Sequence, residues 1–165
     1  KSLWEASAAL SDREMNALMH HYLAAGCLWK DCNGFIGRIL NAGITMHNEE
    51  LLKSMSAINP NWNNGSVYFL WGIHYAGVPA LFGGDIKKSD ENFQKAVAAG
   101  PKMLNFRETR ARMLYAKTGD REKFVQDLKK IVNQEPGDAQ TVEYPWAVWH
   151  RDNARKMLAN VDQYF

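Results

Sequence analysis

The chain is predicted to be all-α, folded as a short array of antiparallel helix hairpins. Three observations predict this. Stripes of apolar residues at three- and four-residue steps run through most of the sequence, and prolines recur near their ends at 60, 101 and 136. Residues 65 to 101 hold a paired-helix signature with large residues at fixed spacings, and that signature returns once more downstream. No alternating apolar–polar run bounded by hairpin turns appears, so nothing reads as a strand.

The best-defined hairpin spans about 65–101. Tyr68, Trp71, Gly72 and Tyr75 keep the spacing of the first helix of a tetratricopeptide repeat, and Ser89, Phe93, Ala96 and Pro101 keep that of the second. Gly72 is expected to let the two helices approach closely, with Tyr75 and Phe93 filling the space between them. Between Tyr75 and Ser89 lie 13 residues, AGVPALFGGDIKK, where an ordinary repeat of about 34 residues has about 8. Pro79 and the Gly83-Gly84 pair do not suit a helix interior, so 76–88 is read as a loop insert. Asp85 is expected to cap the helix that follows it, in preference to binding an anion. Val78, Leu81 and Phe82 are apolar residues a solvated spacer would not choose.

A second hairpin, about 104–136, runs from Tyr115 through Phe124, Leu128 and Ile131 to Pro136, with Thr118-Gly119-Asp120 as its turn. Gly119 suits the position just past a helix end, and Asp120 suits a helix N-cap. Upstream, Leu51, Leu52, Met55 and Ile58 make a weaker stripe that ends at Pro60. The proline intervals are 41 and 35. Removing the five-residue excess from the first leaves 36, close to the repeat period of about 34.

Flanking helices complete the array. Ser11 and Glu14 form a capping-box pattern ahead of Met15, Leu18, Met19, Tyr22 and Leu23. Phe35, Ile36, Ile39 and Leu40 predict another helix, interrupted on both sides by glycines. At the far end Pro145 suits a first turn, and Trp146, Trp149, Asn153, Met157, Val161 and Phe165 predict a helix over about 144–163. We expect one domain over residues 1–165, large enough to bury about 70% of its unfolded surface.

Composition excludes several functions. The 20 basic and 18 acidic residues are intermixed, and a formal charge of +2 argues against a nucleic-acid footprint. No apolar run approaches the length of a membrane span. His20 and His21 adjoin on a predicted helix, where neighbours diverge by about 100° and cannot share a metal. Cys27 and Cys32 read either as two small buried hydrophobes or as a disulfide across a helix turn. No nucleophile elbow, zinc-protease motif or phosphate-binding loop occurs, so neither catalytic residues nor a metal or cofactor is expected.

Aromatic residues make up 12% of the chain, and several fall where an array would expose a groove. Trp71 and Tyr75 fit interface packing between helices. Phe82 in the insert, and Trp146 and Trp149 beside His150 and Arg151, fit an organic-ligand pocket and a partner hot spot equally well. With Leu81 these are the candidate ligand- or partner-binding residues.

The segments NGSVYFLWGIHYA, PALFGGDIKKSDENFQKAV, TGDREKFVQDLKKIV and HRDNARKMLANVDQYF together resemble the tetratricopeptide-repeat T components of tripartite ATP-independent periplasmic (TRAP) transporters. The resemblance covers residues 60–165, and the Leu81-Phe82-Gly83-Gly84-Asp85 turn followed by Phe93 and Ala96 is its most specific part. It implies a periplasmic accessory protein, commonly lipid-anchored at its N-terminus, that partners the transporter's substrate-binding component. It further implies a family that binds or relays small organic ligands, apolar ones among them, and it carries over no catalytic residue. Self-association stays open. The alternative is a generic tetratricopeptide-type scaffold for protein–protein interaction in the cell envelope.

Overall fold

The computed structural model describes residue 11 and residues 14–135 and 144–165, and every regular element among them is helical. In chain order these are α1 (Met15–Asp31), α2 (Phe35–Leu40), α3 (Gly43–Ile58), α4 (Trp62–Gly77), a 3₁₀ turn (Ala80–Phe82) and α5 (Ile86–Ala99). Helix α6 runs over 104–118 and contains a π-helical turn (Ala111–Tyr115). It is followed by α7 (Arg121–Val132), α8 (Tyr144–Ala159) and a 3₁₀ turn (Val161–Tyr164). The array of helical hairpins predicted from sequence is therefore the fold.

The predicted caps form. The Glu14 carboxylate accepts from the Ser11 backbone N–H at 3.0 Å and from its hydroxyl, the reach-back arm of a capping box. Asp85 and Asp120 each accept from the backbone N–H three residues on, at 3.1 Å, and so start α5 and α7. Gly119 ends α6 in the left-handed region, φ 73°. Pro136 lies outside the described residues.

The α4–α5 hairpin shows why Gly72 is needed. A Cβ there would stand 2.8 Å from the Phe93 ring, which is completely buried, and the Ser89 hydroxyl donates to the Gly72 carbonyl at 2.8 Å beside it. Tyr75 does not share this space, contrary to expectation. Trp71 and Tyr75 are four residues apart on one helix face, so they stack on each other, with centroids 5.2 Å apart. Gly72 and Ala76 occupy the adjacent face and meet α5. Burying a ring such as that of Phe93 contributes about 1.5–3 kcal/mol.

Two apolar clusters flank α4. On one side Phe93, Leu104, Leu114, Phe124, Leu128 and Ile131 join α5, α6 and α7, with Ala147, Ala154 and Met157 of α8 closing over them. On the other, Met15 and Tyr22 of α1 pack with Leu51, Leu52 and Met55 of α3 and with Val67 and Leu70 of α4. Phe69 bridges the two clusters, stacked on Phe106 at 4.6 Å and edge-on to Phe93 at 6.1 Å.

The sequence left open which way the α8 aromatics face, and the structure answers it: the inward stripe of α8 is Ala147, Ala154 and Met157, while Trp146 and Trp149 face out, half exposed. Small side chains let α8 lie close to its neighbours, and Glu108 of α6 reaches His150 and Asn153 across that contact. The helix expected at Phe35, Ile36, Ile39 and Leu40 forms as α2, only six residues long, and it leaves Ile36, Ile39 and Leu40 exposed. Cys27 and Cys32 are exposed free thiols, not buried hydrophobes and not a disulfide.

Candidate functional site

Helix α3 buries Thr45, Asn48, Leu51, Leu52, Ser54 and Met55, so three polar residues are buried beside its apolar stripe, and Thr45 and Asn48 stand at its N-terminal end. Helix α4 does the same on the face toward α1, where Val67 and Leu70 lead to His74. Where these polar ends converge with α1 and the π-helical turn of α6, the two apolar clusters fail to meet. The gap is a cavity of about 200 Å³.

Tyr22, Leu23 and Trp29 supply its α1 wall, Thr45 and Asn48 its α3 wall, and Ile73, His74 and Val78 its α4 wall. Arg112 and Met113, both in the π-helical turn, complete it together with Lys30 and Asp31. π-Helical turns of this kind recur at functional sites. Arg112 and Lys30 make no ion pair or hydrogen bond among the described residues, and both are exposed.

Polar groups around the cavity divide into satisfied and unsatisfied. The Tyr22 hydroxyl donates to the Leu70 carbonyl at 3.3 Å, and burial pushes its ionisation above the usual phenol range, so it remains a neutral donor. The Thr45 hydroxyl donates to the Ala42 carbonyl, and the Trp29 indole to the Arg38 carbonyl. Asn48 donates from Nδ2 to the Tyr22 carbonyl at 3.4 Å, but its Oδ1 has no partner. Asp90, Asn105 and Arg151 also hold an unpaired side-chain atom, yet each is partly exposed, whereas Asn48 is 5% exposed. His74 is 4% exposed and makes ring contacts with Tyr22, Trp71 and Tyr75, but no hydrogen bond among the described residues. Burial, aided by Lys53 and opposed by Glu49, pulls its pKa below the ordinary histidine value and favours the neutral ring.

None of the six residues singled out from sequence lines this cavity. Trp71 donates from its indole to the Ser56 hydroxyl at 2.8 Å and so ties α4 to α3. Tyr75 stacks on Trp71 with the Lys88 ammonium 5.5 Å from its ring centroid. The insert closes on itself: Phe82, Gly83 and Gly84 donate to the carbonyls of Pro79 and Ala80, and Asp85 returns to the Tyr75 carbonyl. This leaves Leu81 87% exposed and Phe82 partly buried, while Val78, at the insert's entry, is the residue that reaches the cavity. Trp146 and Trp149 pack edge-on at 6.0 Å, and Trp149 lies 4.9 Å from the His150 ring, an aromatic patch remote in sequence from the insert.

Sequence reasoning missed Asn48 and His74. The available signal was a polar residue standing on an apolar helical stripe, three positions before Leu51 in one case and four after Leu70 in the other. Among the described residues no three His, Cys, Asp or Glu side chains gather as a ligand set for a metal. His21 instead meets His47 of α3, Nε2 to Nε2 at 2.8 Å, one ring donating and the other accepting.

Fold and cavity together define a helical-hairpin array with a ligand-sized void at the junction of its two apolar clusters. Residues 40–165 match the TRAP transporter T-component family, and the chain belongs to it. That family is an accessory component of TRAP transport. No curated protein matches the chain. No helix among the described residues is long and apolar enough to cross a membrane.

Proposed function

We propose that this protein is a non-enzymatic periplasmic accessory component of a TRAP transporter, which associates with the substrate-binding component and holds a small organic, largely apolar ligand. The observation that carries the ligand half of this reading is the cavity between α1, α3, α4 and the π-helical turn. Engineered apolar cavities of about 150 Å³ bind benzene, so about 200 Å³ suits a single small ring or a short branched chain. Family membership supports the transport half. The family resemblance adds a lipid anchor on the precursor, which would keep the protein at the membrane surface beside the transporter.

Partner binding falls to the exposed aromatics. Trp146 and Trp149 stand together on the outer face of α8, at 54% and 50% exposure, and large half-exposed rings are what partner hot spots use. Leu81, at the tip of the insert, with Phe82 behind it, offers a second contact. Trp71 and Tyr75 brace α4 from outside the cavity. The same exposed patch, taken without the cavity, favours the scaffold reading.

Two measurements separate these readings. Calorimetric titration with the substrate-binding component of the same transporter should give a complex, and the double substitution Trp146→Ala and Trp149→Ala should weaken it at least about tenfold. Melting of that variant should stay within about 1 kcal/mol of the parent, because both rings are half in water. Absence of any complex would remove the transport partner and leave the scaffold. Ligand entry should alter the fluorescence of Trp29, which lines the cavity, and a Trp29→Phe protein should lose that response.

A further inference from the structure

Helix α2 makes at most glancing contact with any other helix, and none of its residues lines the cavity. Ile36, Ile39 and Leu40 lie at three- and four-residue steps, so they share one face, and they are 71%, 48% and 79% exposed. Gly37 and Asn41 turn instead to Asn33. A Cβ on Gly37 would stand 3.0 Å from Asn33 Oδ1, which accepts from Asn41 Nδ2 at 3.1 Å, while Asn33 Nδ2 donates to the carbonyl of Leu28, another exposed aliphatic residue. The helix is thus held from its polar side and leaves its apolar side in water.

The backbone of α2 is closed off more completely than a solvated helix end requires. A helix leaves its last carbonyls without internal partners. Here the Gly37 carbonyl accepts from the Asn41 N–H and Nδ2, both at 2.9 Å, that of Arg38 from the Trp29 indole at 3.1 Å and that of Ile39 from the Ala42 N–H at 3.3 Å. Water would satisfy such carbonyls unaided, whereas at a hydrocarbon boundary the protein must do so itself. Charge agrees: α2 has no acidic residue, and residues 28–46 carry Lys30 and Arg38 against Asp31 alone. A stable protein interface uses roughly 20–30 residues a side, far more than this small face offers. At a bilayer surface, binding scales with buried apolar area and with nearby cations, so a few aliphatic side chains suffice.

We propose that α2 is a membrane-surface contact, in which Ile36, Ile39 and Leu40 enter the head-group boundary of an anionic bilayer and Arg38 and Lys30 meet its phosphates. All but the last residue of α2 precedes the family match, and the contact is separate from the cavity and from Trp146 and Trp149.

In flotation, the protein should rise with vesicles of phosphatidylglycerol and phosphatidylethanolamine. Neutral phosphatidylcholine vesicles should hold it up to about fivefold more weakly, the worth of one net cation at an anionic surface. The double substitution Ile36→Asp and Leu40→Asp should lower the partition coefficient at least about tenfold. Its melting temperature should match the parent's, because both side chains already face water. A solvent-sensitive dye on the exposed Cys32, with Cys27→Ser, should shift to the blue when vesicles are added, and it reads an unaltered α2 should the double variant fail to fold. A parent that does not float, a double variant that floats as well as the parent, or a dye that stays in water would each overturn the membrane contact. Self-association of the parent that the double variant loses, with no vesicle binding, would overturn it too and give the face to a second copy of the chain.

Discussion

The two faces of α4 bury polar groups of different kinds. Toward α5, α6 and α7, Phe93 fills the space above Gly72 and the most deeply buried ions are paired, while Asp90 and Arg151 each keep one unpaired side-chain atom. Asp127 accepts from Arg110 Nε at 2.7 Å and Nη2 at 2.8 Å, with Arg107 at 3.3 Å, and Glu108 holds both His150 and Asn153. Toward α1 and α3 the same helix ends its apolar stripe in His74, which with Asn48 lines the pocket, and Asn48 Oδ1 has no partner. One face is held by paired ions, and the other carries neutral polar groups beside a pocket.

That contrast can be broken most severely at Asp127. Asp127→Ala would leave the Arg110 guanidinium buried without its counter-ion and should cost about 3–5 kcal/mol in urea unfolding. A loss under about 1 kcal/mol would show that the C-terminal face is not held by its ion pairs. Next comes Gly72→Ala. Its new methyl meets a buried ring that has nowhere to retreat, so overpacking should lower stability by about 1–3 kcal/mol. A neutral result there would mean that α4 and α5 can separate without penalty, against the complete burial of the Phe93 ring over Gly72.

The smallest effect sharpens the other face. His74 resists protonation when folded but accepts a proton freely when unfolded, near pH 6.5. As pH falls below that value the unfolded chain binds more protons than the native one, so stability contributed by the neutral ring is present above about pH 6.5 and declines below it. The difference in melting temperature between parent and His74→Phe should therefore shift in favour of the variant between about pH 7 and 5. A difference independent of pH would mean that His74 charges as easily in the native protein as in the unfolded chain, and the closed environment assigned to it would be wrong.

Helix identity, the Asp85 and Asp120 caps, the Gly119 turn and the pairing of α4 with α5 were legible in the sequence, because each depends on residues within one or two turns of one another or on a repeat of known period. The α8 helix was legible too, but not which of its faces is buried. Periodicity finds the largest residues, whereas the buried positions there are Ala147 and Ala154, chosen for close approach. Tyr75 was assigned to the wrong face for a similar reason: a motif records spacing along the helix, and the neighbour at four residues, Trp71, captured its ring. The cavity lay beyond reach, since Tyr22, Asn48, His74 and Met113 come from four helices, and whether their side chains meet or leave a gap is set by helix crossings that no local pattern encodes. The sequence by itself determined which segments are helical, where they stop and which hairpins they form, all consequences of short-range sterics and hydrogen bonding. Tertiary structure alone decided that Asn48 and His74 line one pocket while Trp146 and Trp149 face water, because burial is a property of the assembled surface and not of the residue.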